Sequence, residues 1–237
     1  WSPDSKGFIY VDLQTSDKYS NNLWKDITIR YHQLNTEVRN DKAIFSRINN
    51  PELNLNSSDF LSVYYSDDNK YLMAVATPGA QAQNNFFYSR AENLAKEHIP
   101  WSVLAKAEDQ VGGAIIYKEK AYLISRKNAP NFQILVASLD GSGIASATTL
   151  VPETDVPIGW VKVSKDYLFI QKTQGIVTEW QQYEFATGKI EAIKFPYAGA
   201  VWLYCLDVST NECIVNLLSW KRPLTRYDYN PKSRLTS

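Results

Sequence analysis

The chain is poor in the residues that carry most polar chemistry. Histidine occurs twice (His32, His98) and cysteine twice (Cys205, Cys213) in 237 residues. The four have no ligand spacing for zinc, so no metal and no cofactor is expected. Glycine occurs ten times, at 7, 79, 112, 113, 141, 143, 159, 175, 188 and 199, and no two are four apart. A serine nucleophile on a strand-to-helix elbow needs Gly-x-Ser-x-Gly, because the sharp turn tolerates little beside the serine. That motif is missing, Gly141-Ser142-Gly143 reads as a hairpin turn, and the histidines have no evident serine and aspartate partners. No catalytic residue is therefore assigned to this chain. Lys+Arg and Asp+Glu are 25 each, so the net charge is zero. Nothing favours nucleic acid or a membrane as partner. No apolar run approaches the roughly 20 residues of a membrane-spanning helix.

Aromatics, by contrast, are plentiful: 15 Tyr, 9 Phe and 7 Trp. They suit pleated, half-buried surfaces, and they recur. Polar turns at Asp4, Asp67, Glu119, Asp166 and Asn211 are separated by 63, 52, 47 and 45 residues. Strand-like runs marked by Tyr31, Tyr88, Val136, Tyr183 and Tyr227 are separated by 57, 48, 47 and 44. Two independent features drift together, so they belong to one repeating unit. A repeat of roughly 40–50 residues made of short strands points to a β-propeller blade. The expected fold is all-β, with about five four-stranded antiparallel blades over residues 1–57, 58–108, 109–154, 155–196 and 197–237.

The second blade shows the pattern well: Phe60 to Tyr65, Tyr71 to Ala76, Asn85 to Ser89 and Trp101 to Ala105. Inner strands such as Val201 to Leu206 are continuously apolar, and are expected to be buried on both faces. Asp140-Gly141 is a tight-turn signal. Ser89 to His98 holds a helical turn at most. The first blade lacks its inner strand and the last its outer strand. With Trp1 as the first residue, the chain reads as an arc cut from a larger ring. Loops Gln14 to Asn22 and Ile48 to Ser58 are polar and expected to be solvated. Cys205 and Cys213 flank the fifth turn; they read as buried free thiols, with a cross-strand disulfide as the alternative.

Several segments resemble the propeller domain of the prolyl oligopeptidase family of serine peptidases. They are Trp1 to Tyr10 (WSPDSKGFIY), Ser66 to Leu72 (SDDNKYL), Asn128 to Phe132 (NAPNF), Leu150 to Glu153 (LVPE) and Ala186-Thr187-Gly188. They occur in the family's order and at about its spacing, over essentially the whole chain, and match roughly the third to seventh blades of seven. Oligopeptidase B is similar in design. The resemblance implies a cytosolic or periplasmic endopeptidase whose propeller covers an α/β-hydrolase domain and admits short proline-containing peptides. The triad would lie in that hydrolase domain, outside this chain. The family's propeller also offers substrate an arginine and a cysteine, whose positions hold Thr77 and Ala80 here. Its apolar wall position falls on Phe60, which as an inner-strand residue also reads as simple core. A free-standing propeller scaffold without peptidase activity is the alternative reading.

Overall fold

The computed structural model describes residues 1–79 and 83–236, built of strands with five short 3-10 turns and no α-helix among those residues. Strands β1 (Gly7–Asp12), β2 (Thr28–Gln33) and β3 (Lys42–Phe45) form a three-stranded antiparallel sheet. The second sheet holds β4 (Asp59–Tyr65), β5 (Tyr71–Pro78), β6 (Asn85–Arg90) and β7 (Ser102–Ala105). The third holds β8 (Val111–Tyr117), β9 (Lys120–Ser125), β10 (Gln133–Ser138) and β11 (Thr148–Val151). The fourth holds β12 (Ile158–Val163), β13 (Tyr167–Gln174), β14 (Val177–Glu184) and β15 (Ile190–Ala192). The fifth holds β16 (Ala200–Tyr204), β17 (Cys213–Ser219), β18 (Arg222–Asn230) and β19 (Arg234–Thr236). In every sheet the strands neighbour one another in sequence order. The chain divides into two compact units: Trp1–Ala121 with Val136–Thr148, and Tyr122–Leu135 with Thr149–Ser237.

The recurring polar turns have a local cause. The Ser66 hydroxyl donates to Asp68 Oδ1 (2.8 Å) and accepts from the Tyr71 amide (3.0 Å). The Ser2 hydroxyl does the same with Asp4 (2.7 Å) and the Gly7 amide (2.9 Å). The Ser5 and Asn69 amides close the turns on the Ser2 and Ser66 carbonyls, both at positive φ, 58° and 59°. A Ser-x-Asp run thus supplies the side-chain oxygens that a chain reversal needs.

Packing joins consecutive sheets within each unit. In the first unit Phe45 lies against Phe87 (5.6 Å) and edge-on to Trp101 (5.2 Å), and the Trp101 indole donates to the Ile44 carbonyl (3.1 Å). In the second, Phe169, Val201, Leu203, Val215 and Leu217 are buried together, and the Trp180 indole donates to the Val201 carbonyl (3.1 Å). Each indole buries a large ring and satisfies a buried acceptor on the adjacent sheet.

Five expectations are corrected. The inner strands β4, β12 and β16 bury only alternate residues: Trp202 and Tyr204 are exposed while Val201 and Leu203 are buried. The near-continuous burial falls on the second strands β5, β9 and β13, which are flanked by a strand on each side. The fifth sheet gains a short outer strand, β19, paired with β18 at Asp228, Tyr229 and Asn230. Asp140-Gly141 is no two-residue hairpin; it leads into a 3-10 turn at Gly143–Ser146, and the Gly141 amide is held by the Tyr88 hydroxyl (3.0 Å). Leu55, in a loop expected to be solvated, is buried in the first unit's core. Cys205 and Cys213 form a disulfide rather than free thiols. Tyr204 pairs with Ile214, so the ladder sets the next two residues opposite each other, with Cα atoms 4.3 Å apart.

Candidate functional site

Two of the three residues singled out from the sequence, Phe60 and Thr77, lie where β4 begins and β5 ends. Phe60 and Thr77 are direct cross-strand partners, and Asp59 pairs with Pro78. Leu61 and Val63 on β4 go into the core, so the pleat turns Phe60, Ser62 and Tyr64 outward. Phe60 is therefore not core: 45% of its surface is exposed. Its neighbour is Trp24, from the β1–β2 connection, with ring centroids 6.0 Å apart at 54°. Trp24 is itself 52% exposed, so the two rings form an apolar surface open to solvent. The Thr77 hydroxyl donates to Asn84 Oδ1 (2.7 Å), which ties the end of β5 to the start of β6. Ala80, the third residue singled out, lies outside the described residues.

Backbone placement here is held by one buried carboxylate and one partly exposed ion pair. Asp59, buried, accepts from the Asn56 amide (2.9 Å) and from Asn56 Nδ2 (3.3 Å). Asp26 receives the Arg47 guanidinium (2.6 Å), and its own amide donates to the Ser57 carbonyl (2.7 Å). These bonds fix the segment that carries Trp24 against the one that carries Phe60. Trp24 was not legible in the sequence. It is 36 residues from Phe60 (60 − 24), and its one signal was a tryptophan closing a loop of Asn, Ser and Asp.

The histidines require one correction. His32 does have an aspartate partner: Nδ1 lies 2.7 Å from Asp41 Oδ1. The hydroxyl at the other carboxylate oxygen is not a serine but Tyr10, which donates to Asp41 Oδ2 (2.8 Å). Arg30 donates to the Asp41 carbonyl (3.0 Å) and to Asp12 (2.6 Å). Burial and the bond to Asp41 push the Tyr10 phenol up to about 12. Burial tends to raise the Asp41 carboxyl, but the bonds from His32 and Tyr10 outweigh it and hold it below the usual range. Both carboxylate oxygens are engaged within the sheet formed by β1, β2 and β3, which makes the cluster a tie between those strands. His98 meets Glu52 at 3.6 Å with both side chains exposed. Among the described residues no group of three His, Cys, Asp or Glu side chains gathers as a metal site.

Repeated antiparallel meanders of three or four strands are the building unit of a β-propeller domain. The family description "prolyl oligopeptidase, N-terminal beta-propeller domain" matches residues 1–237, and the chain belongs to that family. It is similar to prolyl oligopeptidase A of Galerina marginata (strain CBS 339.88), 22% identical over an alignment of 212 residues, with 84% of this chain and 27% of that protein covered. A solved prolyl endopeptidase superposes with a TM-score of 0.81 at 22% identity, over 100% of this chain and 34% of its own. Prolyl oligopeptidase B from Galerina marginata, as apo protein, gives a TM-score of 0.79 at 17% identity, over 100% of this chain and 32% of its own. The chain thus spans about a third or less of the length of these relatives.

Proposed function

We propose that this chain is the non-catalytic propeller domain of a prolyl oligopeptidase-like serine endopeptidase. In this reading it limits access of short proline-containing peptides to an α/β-hydrolase active site that lies outside these residues. The observation that carries the reading is the family match over the whole chain, taken with the missing Gly-x-Ser-x-Gly motif and a His–Asp pair whose neighbouring hydroxyl is a tyrosine. Phe60, Thr77 and Ala80 would form this chain's contribution to the substrate wall. The family's arginine position is Thr77 here, so that wall would act through apolar contact, with Trp24 beside Phe60 enlarging it. An aromatic surface suits the ring of a prolyl residue, which carries no N–H to satisfy.

The test has two arms. A serine-directed fluorophosphonate should leave the 237-residue chain unlabelled. In the full-length polypeptide it should label one serine outside these residues. In that polypeptide, Phe60→Ala should raise KM for a proline-containing octapeptide with little change in kcat, since the wall binds substrate and transition state alike. Labelling of a serine within this chain, or an unlabelled full-length protein, would overturn the reading. The second outcome favours a free-standing interaction scaffold.

A further inference from the structure

The first hairpin of the fifth sheet carries a disulfide at its neck. In the third sheet β8 and β9 are joined by two residues, Lys118 and Glu119, both at positive φ (50° and 60°). Between β16 and β17 run residues 205–212 instead. The ladder of these two strands stops at Tyr204 and Ile214, and the Cys205–Cys213 bridge joins the residues just beyond it. The bridge therefore closes a loop, 206–212, that the ladder leaves open.

The fourth sheet is docked on that loop. The Lys165 amide donates to the Thr210 carbonyl (2.8 Å), and the Asp166 amide donates to Asn211 Oδ1 (2.9 Å). Asn211 Nδ2 donates back to Asp166 Oδ2 (2.9 Å). Ser164 is fully buried, and its hydroxyl donates to Asn211 Oδ1 (3.1 Å). The joint thus supplies a partner to a polar group that solvent does not reach. Within the loop the Ser209 amide donates to Asp207 Oδ1 (2.8 Å) and the Thr210 amide to the Asp207 carbonyl (3.2 Å). This local turn presents Thr210 and Asn211 to the neighbouring sheet. The two cysteines differ in access: Cys213 is buried in the second unit's core, whereas Cys205 is only partly buried against it.

We propose that the Cys205–Cys213 bridge is a redox-controlled latch on the joint between the fourth and fifth sheets. A dithiol reductant attacks the sulfur of Cys205, the more accessible residue, and Cys213 leaves as a thiolate. The reductant's second thiol then displaces Cys205 and closes its own disulfide. The bridge takes up two electrons and two protons, and the dithiol gives them up. The freed 206–212 segment gains conformational entropy, so ordering it against Lys165 and Asp166 costs more. Oxidised, the loop is held in its docking shape and the joint is tight; reduced, the joint opens more often. The latch does not depend on the peptidase reading, which serine labelling tests separately.

Hydrogen exchange of the 237-residue chain, read at single amides by NMR, is the test. It is measured in the oxidised protein, after reduction by dithiothreitol and after reoxidation. The Lys165 and Asp166 amides should exchange about tenfold faster in the reduced protein, through local opening of a loop no longer cross-linked, and slow again on reoxidation. The Asn69 and Tyr71 amides, which close a turn of the first unit, should keep their rates. Cys205→Ser/Cys213→Ser should show the fast rates with or without dithiol. Asn211→Ala keeps the bridge and removes the side-chain half of the joint, so Asp166 should exchange fast in both redox states. Unchanged Lys165 and Asp166 rates in the fully reduced protein would overturn the proposal. So would a bridge that dithiothreitol reaches only after unfolding, or equal acceleration at Asn69 and Tyr71, which would mean a general loosening.

Discussion

Trp101→Phe isolates the inter-sheet tie of the first unit. The indole is buried, edge-on to Phe45, and its N–H reaches the Ile44 carbonyl at 3.1 Å. Phenylalanine retains a ring but loses the donor and the second ring's volume. A lost hydrogen bond that strands a buried acceptor costs about 1–3 kcal/mol. The vacated volume adds about 1–2 kcal/mol, a fraction of the roughly 3–5 for removing the whole side chain. The sum is about 3 kcal/mol. For a chain of this size each kcal/mol moves Tm by about 2–4 °C, so the midpoint should fall by about 6–12 °C. Thermal and urea melts of wild type, Trp101→Phe and Trp220→Phe measure the shift and the free energy behind it. The last makes the same substitution at a 90% exposed indole and should stay within about 0.5 kcal/mol of wild type. If the two variants lose the same stability, the indole tie is not what holds those sheets together.

The Tyr10–Asp41–His32 cluster makes stability depend on pH at both extremes. Asp41 is held below its ordinary value of 3.8, so its contribution is present above that value and lost as pH falls through the folded one. Tyr10 is raised from 10.0 to about 12, so its contribution is complete below 10 and lost as pH rises towards 12. Asp41→Asn should flatten the acid limb of a plot of urea midpoint against pH, and Tyr10→Phe the alkaline limb; unchanged limbs would dissociate the cluster from stability. Ser66→Ala removes two turn-forming bonds at once and should cost about 1–2 kcal/mol in the same urea assay, against almost nothing for exposed Ser209→Ala. Dithiothreitol, or the double variant Cys205→Ser/Cys213→Ser, should lower stability by about 2–3 kcal/mol, the chain-entropy value for so short a loop. An unchanged melt with two titratable thiols in the untreated protein would mean that the bridge does not form.

The repeat was legible because its cause is local. The serine of each Ser-x-Asp turn bonds to its own aspartate and to an amide five positions on, so Asp4 and Asp67 mark their turns from sequence alone. The disulfide was not, because two cysteines eight residues apart meet only if the hairpin register sets them opposite each other. Phe60 misled for a related reason. The alternation of β4 is hidden when aromatics occupy its solvent face, and an apolar run then looks buried on both sides. Trp24 lies in the connection between β1 and β2, and nothing in that loop indicates which residue it will meet.

The alternating burial of the inner strands bears on how such a domain can change. Phe60, Ser62 and Tyr64 on β4, Trp160 and Lys162 on β12, and Trp202 and Tyr204 on β16 point away from the packed face. Replacing them leaves the core between sheets untouched, whereas the first four positions of β5 and of β13 are buried without interruption. Mutational freedom is thus concentrated on one strand of each of these repeats. Lineages could rewrite the chemistry of that surface one residue at a time, each step selectable for recognition and nearly silent for folding.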